Sequence, residues 1–449
     1  MKEQSYEKGS LLSMTSQFLV LDIRTGASGS QPQHLTAFNN GIAFSAEDSY
    51  GNQEPWYSDG SAGGTFKLSE INSNGASSPS SFTPIGNQLF FTASDGSTGQ
   101  ELWVGTAAEN SATLVSDVQI GSGSSLPRDL TSFNGRLYFT ADDGEGRKLH
   151  STDGQTVQVH LETLTLHSDS ELTVFRNHLV FVAESSDDGR ALYRWNGRSR
   201  KGIKVYDSYP DDNRNHSTID SLTAVGNKLF FTASTYELNT ELYVTKGSSR
   251  STRLVKDINT ISGGSNPTDL TAVGKNLYFS ADDGIHGRNL WRTNGKPKTT
   301  TMVSDIYEGG TANVDHITNV NGELYFAASS LNNSGDPIYR ELWKHDPSSG
   351  STSLVKDIHP TSSSIQYNDT FTAVNATLIF TADDGTNGLE LWKSNGTEAG
   401  TTLVEDLFPG ATGSSPSEPV ISGDNVFFSA NPGSALGGHE LYAMNIADL

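Results

Sequence analysis

Residues 277–291 read Leu277-Tyr278-Phe279-Ser280-Ala281-Asp282-Asp283-Gly284-Ile285-His286-Gly287-Arg288-Asn289-Leu290-Trp291. An apolar-aromatic run of strand length meets a Gly-rich acidic turn, and a Leu-aromatic pair starts a second strand. The central Phe recurs along the chain, at Phe44, Phe91, Phe139, Phe181, Phe231, Phe279, Phe326, Phe380 and Phe428, at intervals of 47, 48, 42, 50, 48, 47, 54 and 48 residues. A Leu-Thr element precedes each Phe strand, as at Leu130-Thr131 and Leu270-Thr271, and a strand such as Leu254 to Ile258 closes the unit. Four short strands separated by Gly, Asn, Asp and Ser turns describe an antiparallel meander, and apolar residues on both strand faces require both faces to be covered. Radially repeated units of this length are propeller blades.

The two ends of the chain point to ring closure. The last unit stops after its third strand, Glu440 to Met444, and the chain opens with an orphan fourth strand, Phe18 to Ile23. Pairing the two leaves no raw edge. The expected fold is therefore all-β: one β-propeller of four-stranded antiparallel blades over 17–449, behind a flexible extension over 1–16. The repeat count gives nine blades; eight result if the degenerate copy around Phe181 is an insertion.

Composition narrows the function. The chain has 449 residues, 30 Lys or Arg against 52 Asp or Glu, and a formal charge of −22. Such a surface lacks the clustered cations that displace counterions from nucleic acid or hold a protein to anionic lipid. No apolar run approaches the length of a membrane span. The absence of Cys removes disulfides and thiolate chemistry. The opening MKEQSYEKGS carries no apolar h-region, so no cleavable signal peptide is read in this chain.

Residues 390–401 read Glu390-Leu391-Trp392-Lys393-Ser394-Asn395-Gly396-Thr397-Glu398-Ala399-Gly400-Thr401. This resembles the ELWxxDGTxxGT repeat of bacterial secreted and cell-surface proteins, with Asn395 in place of Asp. Glu101-Leu102-Trp103 and Glu341-Leu342-Trp343 keep the first half, Ser58 to Thr65 keeps the turn, and the copies at Lys148-Leu149-His150 and Ala191-Leu192-Tyr193 are eroded. The resemblance implies an extracellular or cell-surface location. It implies no single activity.

Motifs for a nucleophile elbow, a phosphate loop and a zinc helix are absent, and the 11 His are scattered. The strongest chemical regularity is a column of acids at the end of the fourth strands: Asp22, Glu70, Asp117, Asp207, Asp257, Asp305, Asp357 and Asp406. Together with the Asp-Asp-Gly loops it offers hard oxygen ligands suited to Ca²⁺. The candidates are Asp282, Asp283 and Asp305 first, then Asp142, Asp143, Asp383 and Asp384. The competing reading makes each Asp an Asx turn that accepts backbone N–H groups. Tyr209, Tyr236, Tyr307, Tyr339 and Tyr367 fall in second-to-third or inter-blade loops and are the candidate ligand-binding aromatics. The Trp and Tyr of the third strands are expected to pack between blades instead. A basic run, Arg190, Arg194, Arg198, Arg200, Lys201 and Lys204, interrupts the acidic chain.

The expected function is a non-catalytic extracellular binding or adhesion module that recognises a glycan or protein through loops on one face, with calcium assistance and with self-association among its partners. Two alternatives stand beside it. One is a polysaccharide hydrolase or lyase in the central depression, with carboxylates such as Asp129, Asp220, Asp269 and Asp315 at the starts of first strands. The other is a structural subunit of an extracellular or virion assembly. Neither nucleic acid nor membrane insertion is expected.

Overall fold

The computed structural model describes residues 18–25, 28–168, 170–186, 189–209, 218–235, 238–261, 263–331, 335–431, 433 and 438–449. Residues 1–16, read as an extension, and Tyr236 lie outside them. The strands assemble into nine antiparallel sheets, each a blade of a single propeller. Blade 6 is representative: an inner strand Thr268–Val273, then Asn276–Asp282, Arg288–Thr293 and an outer strand Thr301–Ser304. The copy around Phe181 is a blade as well, built on His178–Ser185, with a short extra strand Thr165–Leu166 beside its inner strand Thr173–Phe175. The eight-blade alternative therefore falls.

Ring closure follows the repeat arithmetic. Leu19–Leu21 pairs antiparallel with Glu440–Asn445, placing Leu19 opposite Tyr442 and Leu21 opposite Leu441. The same blade is tied forward on its inner side, where the Leu35 amide donates to Glu418 Oε2 at 2.9 Å.

Strand periodicity explains how blades adhere. In a strand successive side chains face opposite sides, so in blade 6 Leu277, Phe279 and Ala281 pack against Val225, Phe230 and Leu242 of blade 5. Tyr278 faces the other way, onto Leu324 and Phe326 of blade 7. Every one of these side chains is buried. Each Phe so buried contributes roughly 1.5–3 kcal/mol, and both faces of the strand are used.

The Glu-Leu-Trp triplet of the third strand has three separate jobs. Leu342 and Trp343 are both buried, on opposite faces of the blade. Glu341, fully buried, turns toward the loop that leads to the next blade: it accepts the Ile358 amide at 2.8 Å, the Ser364 amide at 3.1 Å and the Ser364 hydroxyl at 2.6 Å. Glu54, Glu101, Glu241, Glu390 and Glu440 make the same clamp with Ser77, Ser125, Ser265, Ser414 and Ser30. Blades 3 and 4, with Lys148 and Ala191 at this position, lack the carboxylate. The Gly-Thr half of the repeat is the third-to-fourth hairpin, in which Asn395 accepts the Thr397 amide at 3.1 Å and the Gly400 amide reaches the Thr397 hydroxyl at 3.0 Å. A Cβ at Gly400 would lie 2.0 Å from the Asn395 side chain, so with Asn at 395 this turn is tight against glycine.

The third-strand Trp side chains are indeed packing residues. Trp103, Trp291 and Trp392 are buried. Lys356 of blade 7 lies over the Trp392 ring of blade 8, 5.7 Å from its centroid, and Lys256 does the same to Trp291 at 5.4 Å.

Candidate functional site

The inner strands meet around the axis, and seven of the nine begin with a local irregularity. In blade 7, Asp315 pairs with Ala327 and Thr318 with Tyr325, so His316 and Ile317 together oppose the single Phe326. This is a β-bulge, and it carries His316 into the left-handed region at φ 56°. His34, Ser81, Asp129, Ser221, Asp269 and Glu418 take the same backbone at the same place in their blades, with φ between 51° and 60°. Seven bulges thus aim non-glycine side chains at one mouth of the axial channel, on the face that also bears the Asp-Asp-Gly turns.

Several of these side chains tie one blade to the next. Glu171 accepts the Ser221 and Leu222 amides at 3.1 and 3.0 Å, and Asp269 Oδ1 accepts the His316 amide at 3.1 Å. Of the axial carboxylates read from the sequence, the structure brings Asp269 and Asp315 together around His316. Asp129 stands apart, accepting the Thr140 hydroxyl at 3.0 Å, and burial pushes its carboxyl up. Asp220 lies two blades away, at the start of the blade 5 inner strand.

The sector of blades 7 and 8 is the most elaborate. His316 Nδ1 lies 2.7 Å from Asp315 Oδ1 and its Nε2 donates to the Asp369 carbonyl at 2.8 Å. Arg340, only 4% exposed, forms an ion pair with Asp315, donates to the Asn313 carbonyl at 2.9 Å and approaches His316 Nδ1 at 3.1 Å. Tyr367, largely exposed, caps the guanidinium with its ring centroid 4.4 Å away. Asp369, buried, accepts the Gln366 amide at 2.6 Å, and burial outweighs that bond to raise its carboxyl above the ordinary range. Desolvation acts on Arg340 in the opposite sense, pulling the guanidinium down. The Asp315 carboxylate and the Asp369 backbone carbonyl thus hold the two imidazole nitrogens, while the buried Asp369 carboxyl lies within electrostatic reach of His316 and Arg340.

Sequence reading located only part of this. Among its Tyr candidates, Tyr367 and Tyr339 belong to this sector, Tyr339 preceding Arg340 in the third strand. Tyr307 is held instead over Gly310, whose Cβ would meet its ring at 2.6 Å, and the Tyr209 amide closes a turn on Asp207 Oδ1 at 3.0 Å. His316, Arg340 and Asp369 were not singled out. The signal was present: the residue two before the Thr of each inner strand departs from apolar alternation, and in blade 7 it is a His beside an Asp.

The acidic turns spend their oxygens on the backbone. Asp282 accepts the Gly284 amide at 2.7 Å, and Asp283 accepts the Ile285 and His286 amides at 2.9 and 2.8 Å and the His286 ring at 2.8 Å. Asp142 accepts Gly144 and Gly146, and Asp143 pairs with Lys148. Asp383 accepts Gly385, while Asp384 takes Thr386 and both amides of Asn387. Asp305 lies at the outer-strand end and one of its oxygens is buried without a hydrogen-bond partner. Among the described residues no group of three or more His, Asp or Glu side chains is arranged to hold a metal ion.

No protein-family model matches the sequence, and no curated protein matches it. Solved structures do. A puromycin hydrolase mutant in complex is 13% identical with a TM-score of 0.42, over 90% of this chain and 58% of its own. A puromycin-hydrolysing peptidase of Mycobacterium tuberculosis is 11% identical with a TM-score of 0.39, over 79% and 58%. The β-propeller domain of the trilobed protease from Pyrococcus furiosus is 11% identical with a TM-score of 0.35, over 70% and 94%. The chain thus spans little more than half the length of the two puromycin-hydrolysing enzymes. The expectation of a non-catalytic adhesion module is not met among them: the similar structures are puromycin-hydrolysing enzymes, prolyl endopeptidases and a protease's propeller domain. At these identities the likeness is one of fold alone.

Proposed function

We propose that the chain is a hydrolase working at the axial mouth, on an amide or ester bond in a positively charged substrate. The observation that carries this reading is the blade 7–8 sector, in which the ion-paired Asp315 carboxylate against His316 and the buried Asp369 carboxyl, within electrostatic reach of the same imidazole, stand in unlike surroundings. A pair of acids whose environments differ in this way divides into a proton acceptor and a proton donor. Asp369, raised by burial, is the carboxyl that holds a proton and delivers it to the leaving group. Asp315, paired with Arg340, is the carboxylate that takes the proton of the attacking water. Arg340 is a positioning residue, fixed by the Asn313 carbonyl and the Tyr367 ring. The carboxylates of Glu171, Asp269 and Glu418 around the same mouth favour a cationic substrate, and the exposed face of Tyr367 suits a cation or a second ring.

Chromogenic anilides and esters carrying lysyl, arginyl, neutral and glutamyl groups test this. Turnover favouring the basic members is expected, and Asp315→Asn should lower kcat/KM by about 10²–10⁴-fold, the usual worth of a positioned base. A folded protein that turns over none of them rejects the reading.

A further inference from the structure

The opposite face, where the first-to-second and third-to-fourth hairpins emerge, carries a cavity of about 300 Å³ between blades 4 and 5. Phe175, Arg176, His178, Val180, Arg194, Lys246 and Gly247 line it, and no carboxylate is among them. Four basic side chains around one small cavity are unexpected in a chain of net charge −22. Among the described residues no carboxylate neutralises them within the cavity. Arg176 Nη1 donates to the Lys246 carbonyl at 3.2 Å, which joins the two blades across the cavity rim. His178 Nδ1 lies 2.9 Å from the Arg176 carbonyl. Arg194 stands opposite Val180 in the sheet, and its Nε is buried with no hydrogen-bond partner among the described residues. That orphan N–H costs free energy, and no carboxylate among the lining residues offsets the guanidinium charge.

The positive field extends beyond the cavity. Burial together with the charges of Lys246, Lys296 and Arg253 pulls the Lys228 ammonium below its ordinary range, which places these cations near one another over blades 5 and 6. Such a patch raises the local concentration of anions. Within the cavity the donors suit a tetrahedral oxyanion: the guanidinium offers a planar fork, and the Lys ammonium a mobile point charge. Phe175 and Val180, both buried, supply an apolar wall for whatever carries the anion.

We propose that this cavity binds a phosphate monoester of a small aromatic or aliphatic group, with Arg194 and Lys246 on the phosphate and Phe175 against the organic part. Such an ester brings a charge of about −1.5 to −2 and three acceptor oxygens at neutral pH. The test is calorimetric titration of the full chain with phenyl phosphate, inorganic phosphate and benzyl alcohol. Phenyl phosphate is expected to bind saturably, inorganic phosphate several-fold more weakly, and benzyl alcohol not at all. Arg194→Ala should weaken phenyl phosphate by about tenfold or more. Because Arg194 is partly buried, Lys246→Glu, at an exposed position, provides a second variant whose folding is not at stake; it should cost at least as much. Affinity should fall with added salt, as for any partly exposed ion pair. Absence of saturable binding by phenyl phosphate, binding of benzyl alcohol as tight as its phosphate, or unchanged affinity in Lys246→Glu each overturns the proposal.

Discussion

Glu341 shows how one side chain can hold a blade to its neighbour. Its carboxyl is fully buried and satisfies two backbone amides and a hydroxyl in the loop to blade 8. Removing it leaves the Ile358 and Ser364 donors buried without an acceptor, and each such orphan costs about 1–3 kcal/mol. Glu341→Ala should therefore destabilise the ring by several kcal/mol, read as a lower urea midpoint with an unchanged slope. Glu341→Gln keeps one acceptor oxygen and should lose about half as much. Asn289 of blade 6 is the natural precedent, since its Oδ1 accepts the Ile306 amide at 3.2 Å. If Glu341→Ala unfolds at the parent midpoint, the clamp is ornamental and the repeated Glu needs another explanation.

At the level of the element, the acidic turn and the closing strand make opposite demands. The Asp-Asp-Gly turn is self-contained: Asp384 closes it on the Thr386 and Asn387 amides at 2.8 Å each. Its oxygens are already in use, so thermal unfolding with excess Ca²⁺ and with chelator should give one melting temperature. A shift of several degrees with Ca²⁺ would mean that the folded state binds the ion. The strand Leu19–Leu21, by contrast, has meaning only through its distant partner Glu440–Asn445. Deleting residues 1–23 should expose the edge of Tyr442 and its neighbours and produce concentration-dependent association on size exclusion, because an unpaired strand edge recruits other chains. This division also explains what the sequence could tell. Strands, turns and blade count were legible because each repeats at fixed spacing, so that nine weak signals add. His316, Arg340 and Asp369 occur once each, in blades 7 and 8; an inner-strand bulge turns His316 to meet Arg340 of the third strand and Asp369 of the loop to blade 8, and no local pattern announces that meeting. The Glu clamp recurs in six of the nine blades. Its partner Ser lies 23 or 24 residues further along the chain in five of them, and in the sixth the ring closes from Glu440 back to Ser30, so spacing alone did not reveal a bond.

For the whole molecule, the clamps give stability an unusual dependence on pH. Burial raises the carboxyls of Glu341, Glu390 and Glu440 to about 7, and those of Glu54, Glu101 and Glu241 move the same way. In the unfolded chain a Glu loses its proton near pH 4.3. Between that value and about 7 the folded state therefore holds more protons than the unfolded one, and the free energy of unfolding falls as pH rises. The slope approaches 1.4 kcal/mol per pH unit for each fully shifted group. The aspartates of the turns work in the other direction: Asp48, Asp95, Asp143, Asp283 and Asp384 are held below their ordinary range, and their contribution is lost only as pH falls through the acid range below 4. The net charge of −22 adds to the first effect, since partial protonation relieves repulsion. The ring should be more stable at pH 5 than at pH 8, the reverse of a protein dominated by exposed salt bridges. Urea midpoints across this range measure it, and the triple variant Glu341→Gln, Glu390→Gln and Glu440→Gln isolates the cause, because an amide keeps an acceptor but cannot ionise. A slope that persists unchanged in the triple variant assigns the effect to overall charge and removes the clamps from the explanation.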